Sequence, residues 1–137
     1  MHILMCNDDG ILADGLRHLA SYLSQYYRIT VVAPANEQSA KSHALTTEVP
    51  LKLDAYNGED ENPRLYALTG TPSDCMKFGL SYLLTDDMPD LVISGINHGF
   101  NLGSDVLYSG TVSAAMESCF YGIPGLALSV ERYSAER

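Results

Sequence analysis

Two short apolar strands flank a helical stretch within the first 34 residues of the chain. Residues 2–6 (HILMC) and 28–34 (RITVVAP) are the predicted strands, and apolar residues recur at helical spacing over residues 13–25 between them. A strand, a helix and a second strand of these lengths form a unit whose strands run parallel with a right-handed crossover. This unit predicts an α/β sheet.

The same alternation continues to the C-terminal part of the chain. The pattern predicts a hairpin with strands over residues 48–56 and 64–68, a helix over 70–84 with Thr71 at its N-cap, a buried strand over 90–94, a helix over 111–122 and a strand over 125–130. The polar stretch over residues 35–47, which we call the flap, has no regular period. Alternating strands and helices around buried parallel strands predict an open, doubly wound α/β sheet in a single domain of residues 1–137.

Charge and composition narrow the class of partner. The chain has eight basic and seventeen acidic residues, for a net charge of −9, which disfavours a nucleic-acid polymer as main partner. No apolar run approaches the ~20 residues that span a bilayer, and no signal-peptide pattern is visible, so we predict a cytoplasmic protein without a membrane partner. The scattered Cys6, Cys75 and Cys119 form no zinc motif and are predicted to be buried, reduced thiols.

Polar residues follow three of the predicted strands. Asp8 and Asp9 come after the first strand, Ser39 follows the second and Asn97 follows the strand over 90–94. The carboxyl ends of parallel strands meet at one edge of a sheet, where ligands bind, so these side chains are predicted to share a crevice. An all-oxygen set of this kind suits one Mg²⁺, Mn²⁺ or Ca²⁺ ion, although a solvated turn also explains Asn-Asp-Asp-Gly.

A second feature lies at the start of the helix predicted over 111–122. Ser109, Gly110 and Thr111 stand where free backbone N–H groups favour an anion, although ordinary helix capping explains the same residues. A metal site beside an anion site suggests a phosphate held by both. Of the four histidines, His43 in the flap and His98 beside Asn97 are those that a substrate could contact, but a lone histidine is weak evidence.

Several segments together resemble the SurE survival-protein family. They are ILMCNDDG, VVAPANEQSAKSHALT, GTPSDC, DLVISGINHGFNLGSDVLYSGTVSAAMES and GIPGLALS, in that order along the chain. The resemblance implies a Rossmann-like, mostly parallel, doubly wound core and a metal-dependent nucleotidase. It implies metal ligands Asp8, Asp9, Ser39 and Asn97, and phosphate contacts from Asn101 and from Ser109, Gly110 and Thr111. Family members usually continue beyond residue 137, so a core without the C-terminal segments is expected.

Together these observations predict a phosphomonoesterase that hydrolyses nucleoside monophosphates to nucleoside and phosphate. The cation would polarise the phosphate and lower the pKa of a water molecule, which Asp8 would orient or deprotonate. The alternative is a non-catalytic nucleotide- or metal-binding module, and a weaker one is a metal-dependent transferase. Because the apolar strands need cover, we also predict a homo-oligomer, with lower activity than a longer relative.

Overall fold

A computed structural model describes residues 1–38 and 43–131 and shows one six-stranded sheet. The strands are β1 His2–Cys6, β2 Arg28–Pro34, β3 Leu53–Ala55, β4 Arg64–Leu68, β5 Leu91–His98 and β6 Gly125–Val130. Their order across the sheet is β3-β4-β2-β1-β5-β6, and every neighbouring pair is parallel except β3 with β4. The predicted mostly parallel α/β fold is confirmed.

Helices cover both faces of this sheet. Helix α1 spans Asp14–Leu23, α2 spans Pro72–Phe78 and continues as a π-helical turn over Gly79–Leu83, and α3 spans Gly110–Cys119. A 3₁₀ segment, Gly103–Tyr108, precedes α3. Side chains of β1 alternate between the two cores, as the pleat requires. Ile3 and Met5 pack with α1, while Leu4 and Cys6 pack with α2 and α3.

Two predicted elements differ from the structure. The first strand of the hairpin is shorter than predicted, since β3 spans only Leu53–Ala55, and its second strand, β4, also pairs in parallel with β2 and so joins the hairpin to the main sheet. The strand predicted over 90–94 extends to His98, because Asn97 and His98 pair with β6 beyond an irregularity that follows Ser94. Asn97 therefore lies within a strand and not in a loop.

The prediction that all three cysteines are buried is confirmed for two of them. Cys6 and Cys75 are buried and free, but Cys119 at the end of α3 is exposed, so the prediction for that residue is wrong. The reason is that Cys119 falls on the solvent side of the last turn of α3. None of the helices within residues 1–38 and 43–131 combines the length and the apolar composition that a bilayer span requires.

Strand β1 is the point in the sheet at which the strand order reverses. The strand that follows it in the chain, β2, lies on one side of β1, and β5 lies on the other side. In an open α/β sheet, a crevice opens outside the carboxyl ends of two such strands and is the usual ligand site. The ends of β1 and β5 deliver Asp8, Asp9 and Asn97 to this crevice.

Candidate active site at the carboxyl edge of the sheet

A fully buried asparagine shapes the turn that follows β1. The Asn7 Oδ1 atom accepts a hydrogen bond from Gly10 N at 3.1 Å, and its Nδ2 atom donates to Gly10 O at 3.0 Å. Gly10 has φ +104°, and a Cβ atom there would lie 3.3 Å from the carbonyl oxygen of Pro34. This closed turn fixes the backbone that carries Asp8 and Asp9.

Asp8 is buried against the start of α3. Its Oδ1 atom accepts a hydrogen bond of 2.9 Å from the Thr111 hydroxyl, and its backbone carbonyl accepts one of 2.8 Å from Gln38 N. The contact with α3 leaves no room for a side chain at Gly110, where a Cβ atom would lie 2.9 Å from Asp8 Cβ. The first turn of α3 and the carboxylate of Asp8 thus form one unit.

Asp9 stands in a different environment, although it is the next residue. Its Oδ2 atom is buried and has no hydrogen-bond partner among the described residues. Burial, followed by the negative charges of Asp8 and Glu37, raises the pKa of Asp9, and His98 opposes this shift. A carboxylate in this position gains stability from a nearby cation, because the cation relieves both the burial cost and the repulsion.

The irregularity in β5 follows Ser94, and the strand resumes its pairing with β6 at Asn97. A Cβ atom at Gly95, which has φ +131°, would overlap the carbonyl oxygen of Leu128, so only glycine fits there. The Asn97 Nδ2 atom donates to Gly99 O at 2.8 Å. No described residue donates a hydrogen bond to Asn97 Oδ1, which remains available as an acceptor or ligand atom.

A cavity of about 300 Å³ brings several of these residues together. Its wall consists of Asp8, Asn97, Phe100, Asn101, Asp105, Tyr108 and Ser109. Ser109 caps α3 by accepting a hydrogen bond from Val112 N at 3.2 Å, and Asn101 Nδ2 donates to Ser129 Oγ at 3.3 Å. The N-terminus of the ten-residue helix α3 therefore borders a cavity whose wall also has two carboxylates and two amides.

The structure groups most of the candidate residues predicted from sequence. Four of them line the cavity, namely Asp8, Asn97, Asn101 and Ser109, and Gly110 and Thr111 contact Asp8. Asp9 adjoins Asp8 but does not line the cavity, and Ser39 lies outside the described residues. In the described parts of the chain, no three His, Cys, Asp or Glu side chains are grouped as a metal site, so the candidate ligands are two carboxylates with amide or hydroxyl oxygens.

Sequence patterns did not single out Asn7, Phe100, Asp105 or Tyr108. The signal for Asp105 and Tyr108 was their spacing of three residues, which places them on one side of a 3₁₀ helix. For Asn7, the signal was its position directly after a buried strand and three residues before Gly10. A turn at such a position is often closed by an asparagine side chain.

Comparisons with known proteins agree with this architecture. The family model described as survival protein SurE matches residues 3–137. A 5'-nucleotidase SurE from Thermoanaerobacter sp. (strain X514) is 54% identical over 129 residues, covering 94% of this chain and 50% of the relative. A 5'-nucleotidase SurE from Vibrio vulnificus (strain YJ016) is 50% identical over 130 residues, covering 95% of this chain and 49% of the relative.

A solved structure has the same fold. The crystal structure of the SurE protein from Aquifex aeolicus superposes with a TM-score of 0.82 at 43% identity, covering 94% of this chain and 50% of that chain. This chain therefore spans about half the length of the curated relatives that it matches.

Proposed function

The chain belongs to the SurE family, and from this membership we propose that it is a divalent-metal-dependent phosphomonoesterase that acts on nucleoside monophosphates. The observation that carries the proposal is the contact between Asp8 and the first turn of α3. This contact places a carboxylate that can serve as ligand or base directly beside a helix N-terminus that favours an anion. The relatives bear the name 5'-nucleotidase, which agrees with this chemistry.

The residues present fit one divalent cation. Within the part of the chain that the structure describes, the buried Oδ2 atom of Asp9 has no hydrogen-bond partner, and Asp9 stands beside a second carboxylate, so a positive charge would stabilise the pair. We propose Asp8, Asp9 and Asn97 as ligands, with Ser39 as a further one outside the described residues. Oxygen donors of these types suit Mg²⁺, Mn²⁺ or Ca²⁺. When bound, the cation supplies the positive charge that neutralises the phosphate oxygens as the ester bond breaks.

The protein groups in the cavity have separate roles in this proposal. The backbone N–H groups at the start of α3, that of Thr111 among them, hold the phosphate oxygens together with the hydroxyl of Ser109, and Asn101 adds an amide donor. Asp8 accepts the proton of a water molecule whose oxygen attacks phosphorus, while the bond from phosphorus to the nucleoside oxygen breaks. The nucleoside oxygen takes up a proton, either this one or one from solvent, and leaves as a hydroxyl. Thr111 donates to Asp8 Oδ1 and so fixes the direction in which that carboxylate points.

The other side of the cavity supports a nucleoside as the leaving group. Phe100 and Tyr108 present largely exposed aromatic rings, which can stack on a base. Asp105 offers a carboxylate that can accept hydrogen bonds from ribose hydroxyls but would repel a second phosphate. These residues favour a nucleoside monophosphate as substrate.

Substitution of Asp8 tests the proposal. We expect the wild-type protein with Mn²⁺ or Mg²⁺ to release phosphate from nucleoside monophosphates, and EDTA to stop the release. Asp8→Asn should lower kcat by at least about a hundredfold, the range associated with a general base. Asp14→Asn, a change on the exposed start of α1, is the matched control and should retain the wild-type rate. An unchanged rate for Asp8→Asn would contradict the mechanism, and metal binding without any phosphate release would favour a non-catalytic binding module.

Self-association and location complete the proposal. Phe120 is 77% exposed beside α3, and Leu126 is half exposed on β6, which is an edge strand, so a second copy can cover an apolar surface. Light scattering at micromolar concentration should report a homo-oligomer, and a monomer would contradict this part.

The neighbouring thiols of Cys6 and Cys75 are unpaired, which is consistent with the reducing cytoplasm.

A further inference from the structure

The loop that follows β5 supplies two residues of the cavity wall, Phe100 and Asn101. Its first residue is held on both sides, because Gly99 N donates to Val130 O at 2.8 Å and Gly99 O accepts from Asn97 Nδ2 at 2.8 Å. Phe100 and Asn101 lie beyond this attachment, and the Phe100 side chain is largely exposed. The contact that orients the Asn101 side chain therefore lies elsewhere.

That contact is with Ser129 on β6, whose hydroxyl oxygen accepts a hydrogen bond of 3.3 Å from Asn101 Nδ2. Ser129 pairs with Asn97 across the two strands, so it lies beside the end of β5 from which the loop departs. Leu128 packs against the core on the α1 face, and the alternation of a strand directs the next residue, Ser129, to the opposite face. Ser129 thus stands on the side of the sheet that α3 covers, and the start of that helix borders the cavity.

The hydroxyl of Ser129 reaches the cavity through Asn101. The described residues that form the cavity wall include Asn101 but not Ser129. A primary amide has two N–H donors in one plane, and its torsion about the Cβ–Cγ bond is otherwise broad. With one N–H held by Ser129, the plane of the amide is fixed, and no described residue accepts a hydrogen bond from the second N–H. The sheet therefore gives a fixed direction to a donor that is carried by a loop.

We infer that Ser129 is a positioning residue, which orients the Asn101 amide so that its second N–H donates to a phosphate oxygen at the start of α3. This inference rests on the proposed function for the identity of the ligand. Ser129 itself contacts neither phosphate nor cation, and its effect passes through Asn101. Because the amide bonds to the phosphate both in the substrate and in the transition state, its misorientation should weaken binding more than turnover.

Variants of Ser129 with and without a hydroxyl test the inference. Ser129→Ala and Ser129→Val remove the hydroxyl, whereas Ser129→Thr keeps it and is β-branched like valine. With Mg²⁺ present, we expect the first two to raise Kd for inorganic phosphate and KM for a nucleoside monophosphate about threefold to tenfold, the size of one neutral hydrogen bond, while kcat changes less than about twofold. Ser129→Thr should recover most of the loss. Ser24→Ala, which removes an exposed hydroxyl bonded to Ser21 O, is the matched control and should equal the wild type.

A double-mutant cycle with Asn101→Ala separates positioning from a general effect on structure. Asn101→Ala should weaken phosphate binding at least as much as Ser129→Ala, because it removes the donor itself. Adding Ser129→Ala to Asn101→Ala should cause no further loss, since the two residues act as one unit. Losses that multiply would mean that Ser129 acts on the site by another route, and they would overturn the inference.

The outcomes also distinguish this inference from the proposed function. If the wild type binds phosphate in calorimetry but hydrolyses no ester, the proposed function fails, and the phosphate affinities of the series still decide the role of Ser129. If the wild type hydrolyses nucleoside monophosphates and Ser129→Ala keeps both its KM and its phosphate affinity, only the inference is overturned. A wild type that neither binds nor hydrolyses overturns both. Should Ser129→Ala not fold, Ser129→Val measured against Ser129→Thr decides in its place.

Discussion

The carboxylate of Asp74 accepts hydrogen bonds from both the backbone N–H and the hydroxyl of Thr46, at 3.0 and 2.6 Å. Asp74 also takes part in the capping box of α2, in which its side chain accepts from Thr71 N and its backbone N–H donates to the Thr71 hydroxyl. One buried side chain thus closes the start of α2 and fastens the flap to it.

This arrangement predicts a pH-dependent stability. Burial alone would raise the pKa of Asp74, but the hydrogen bonds from Thr46 and Thr71 outweigh it and hold the pKa below its usual value. As pH falls towards about 4, the unfolded chain therefore takes up the proton before the folded protein does, and the stabilisation disappears as pH falls through the folded pKa. Asp74→Asn should cost about 1–3 kcal/mol in the free energy of unfolding at pH 7 and much less near pH 3.

Urea unfolding of the wild type and Asp74→Asn at pH 7 and at pH 3 measures this difference. Asp54→Asn, which removes an exposed carboxylate that pairs with Lys52 at the surface, is the control and should show little change at either pH. A cost for Asp74→Asn that does not shrink at low pH would contradict the assignment.

A methyl group at Gly110 should damage the candidate site. The Cβ atom of Gly110→Ala would lie 2.9 Å from Asp8 Cβ and 3.1 Å from Pro72 Cγ, so Asp8 or the start of α3 must shift. We expect a loss of about 1–3 kcal/mol in stability and at least a tenfold loss of phosphate release, although alanine is ordinarily the better helix former.

Gly58→Ala provides the comparison for that substitution. A Cβ atom there would meet Glu61 Cγ at 3.7 Å, an ordinary van der Waals contact, and the site is remote. Thermal unfolding and phosphate release should both match the wild type. Equal behaviour of the two alanine variants would show that the close approach of α3 to Asp8 is unimportant.

The turn closed by Asn7 should matter for metal binding as well as for stability. Asn7→Ala removes both hydrogen bonds to Gly10 and leaves the buried Gly10 N–H without its partner, which costs about 1–3 kcal/mol. Because the same turn places Asp8 and Asp9, titration calorimetry should show at least tenfold weaker binding of Mn²⁺.

A similar asparagine elsewhere separates the two effects. Asn57 Oδ1 accepts from Leu65 N and its Nδ2 donates to Pro63 O, so Asn57→Ala opens a comparable turn in the hairpin. That variant should lose stability but keep its Mn²⁺ affinity. If Asn7→Ala binds Mn²⁺ as the wild type does, the turn has no role in placing the carboxylates.

The aromatic wall of the cavity should affect substrates that contain a base. Tyr108→Ala should raise KM for a nucleoside monophosphate about fivefold to a hundredfold, the range that base stacking on an aromatic side chain spans, and leave KM for glycerol phosphate unchanged. Tyr82→Ala, at an exposed tyrosine stacked on Phe78, should affect neither substrate. An equal change for both esters would show that Tyr108 does not face the base.

The fold could be predicted from sequence because apolar strands and amphipathic helices alternate with clear periods. The length of β5 could not, since Gly95 interrupts the pattern and only pairing of Asn97 and His98 with β6 extends the strand. The edge placement of Asp8 and Asn97 followed from topology alone. The roles of Asn7 and of Ser129 did not, because they depend on contacts with Gly10 and Asn101 that no local spacing specifies.

The bond from Thr111 to Asp8 joins residues that are 103 positions apart in the chain. During synthesis, strand β1 and its acidic turn leave the ribosome long before α3 exists, so the two carboxylates first emerge without the helix that orients them. Contacts of such long sequence separation form late, because loop closure must precede them. The candidate site is therefore expected to mature only in the last stage of folding, and a nascent chain that stops before α3 would have the acidic pair but no place to hold phosphate.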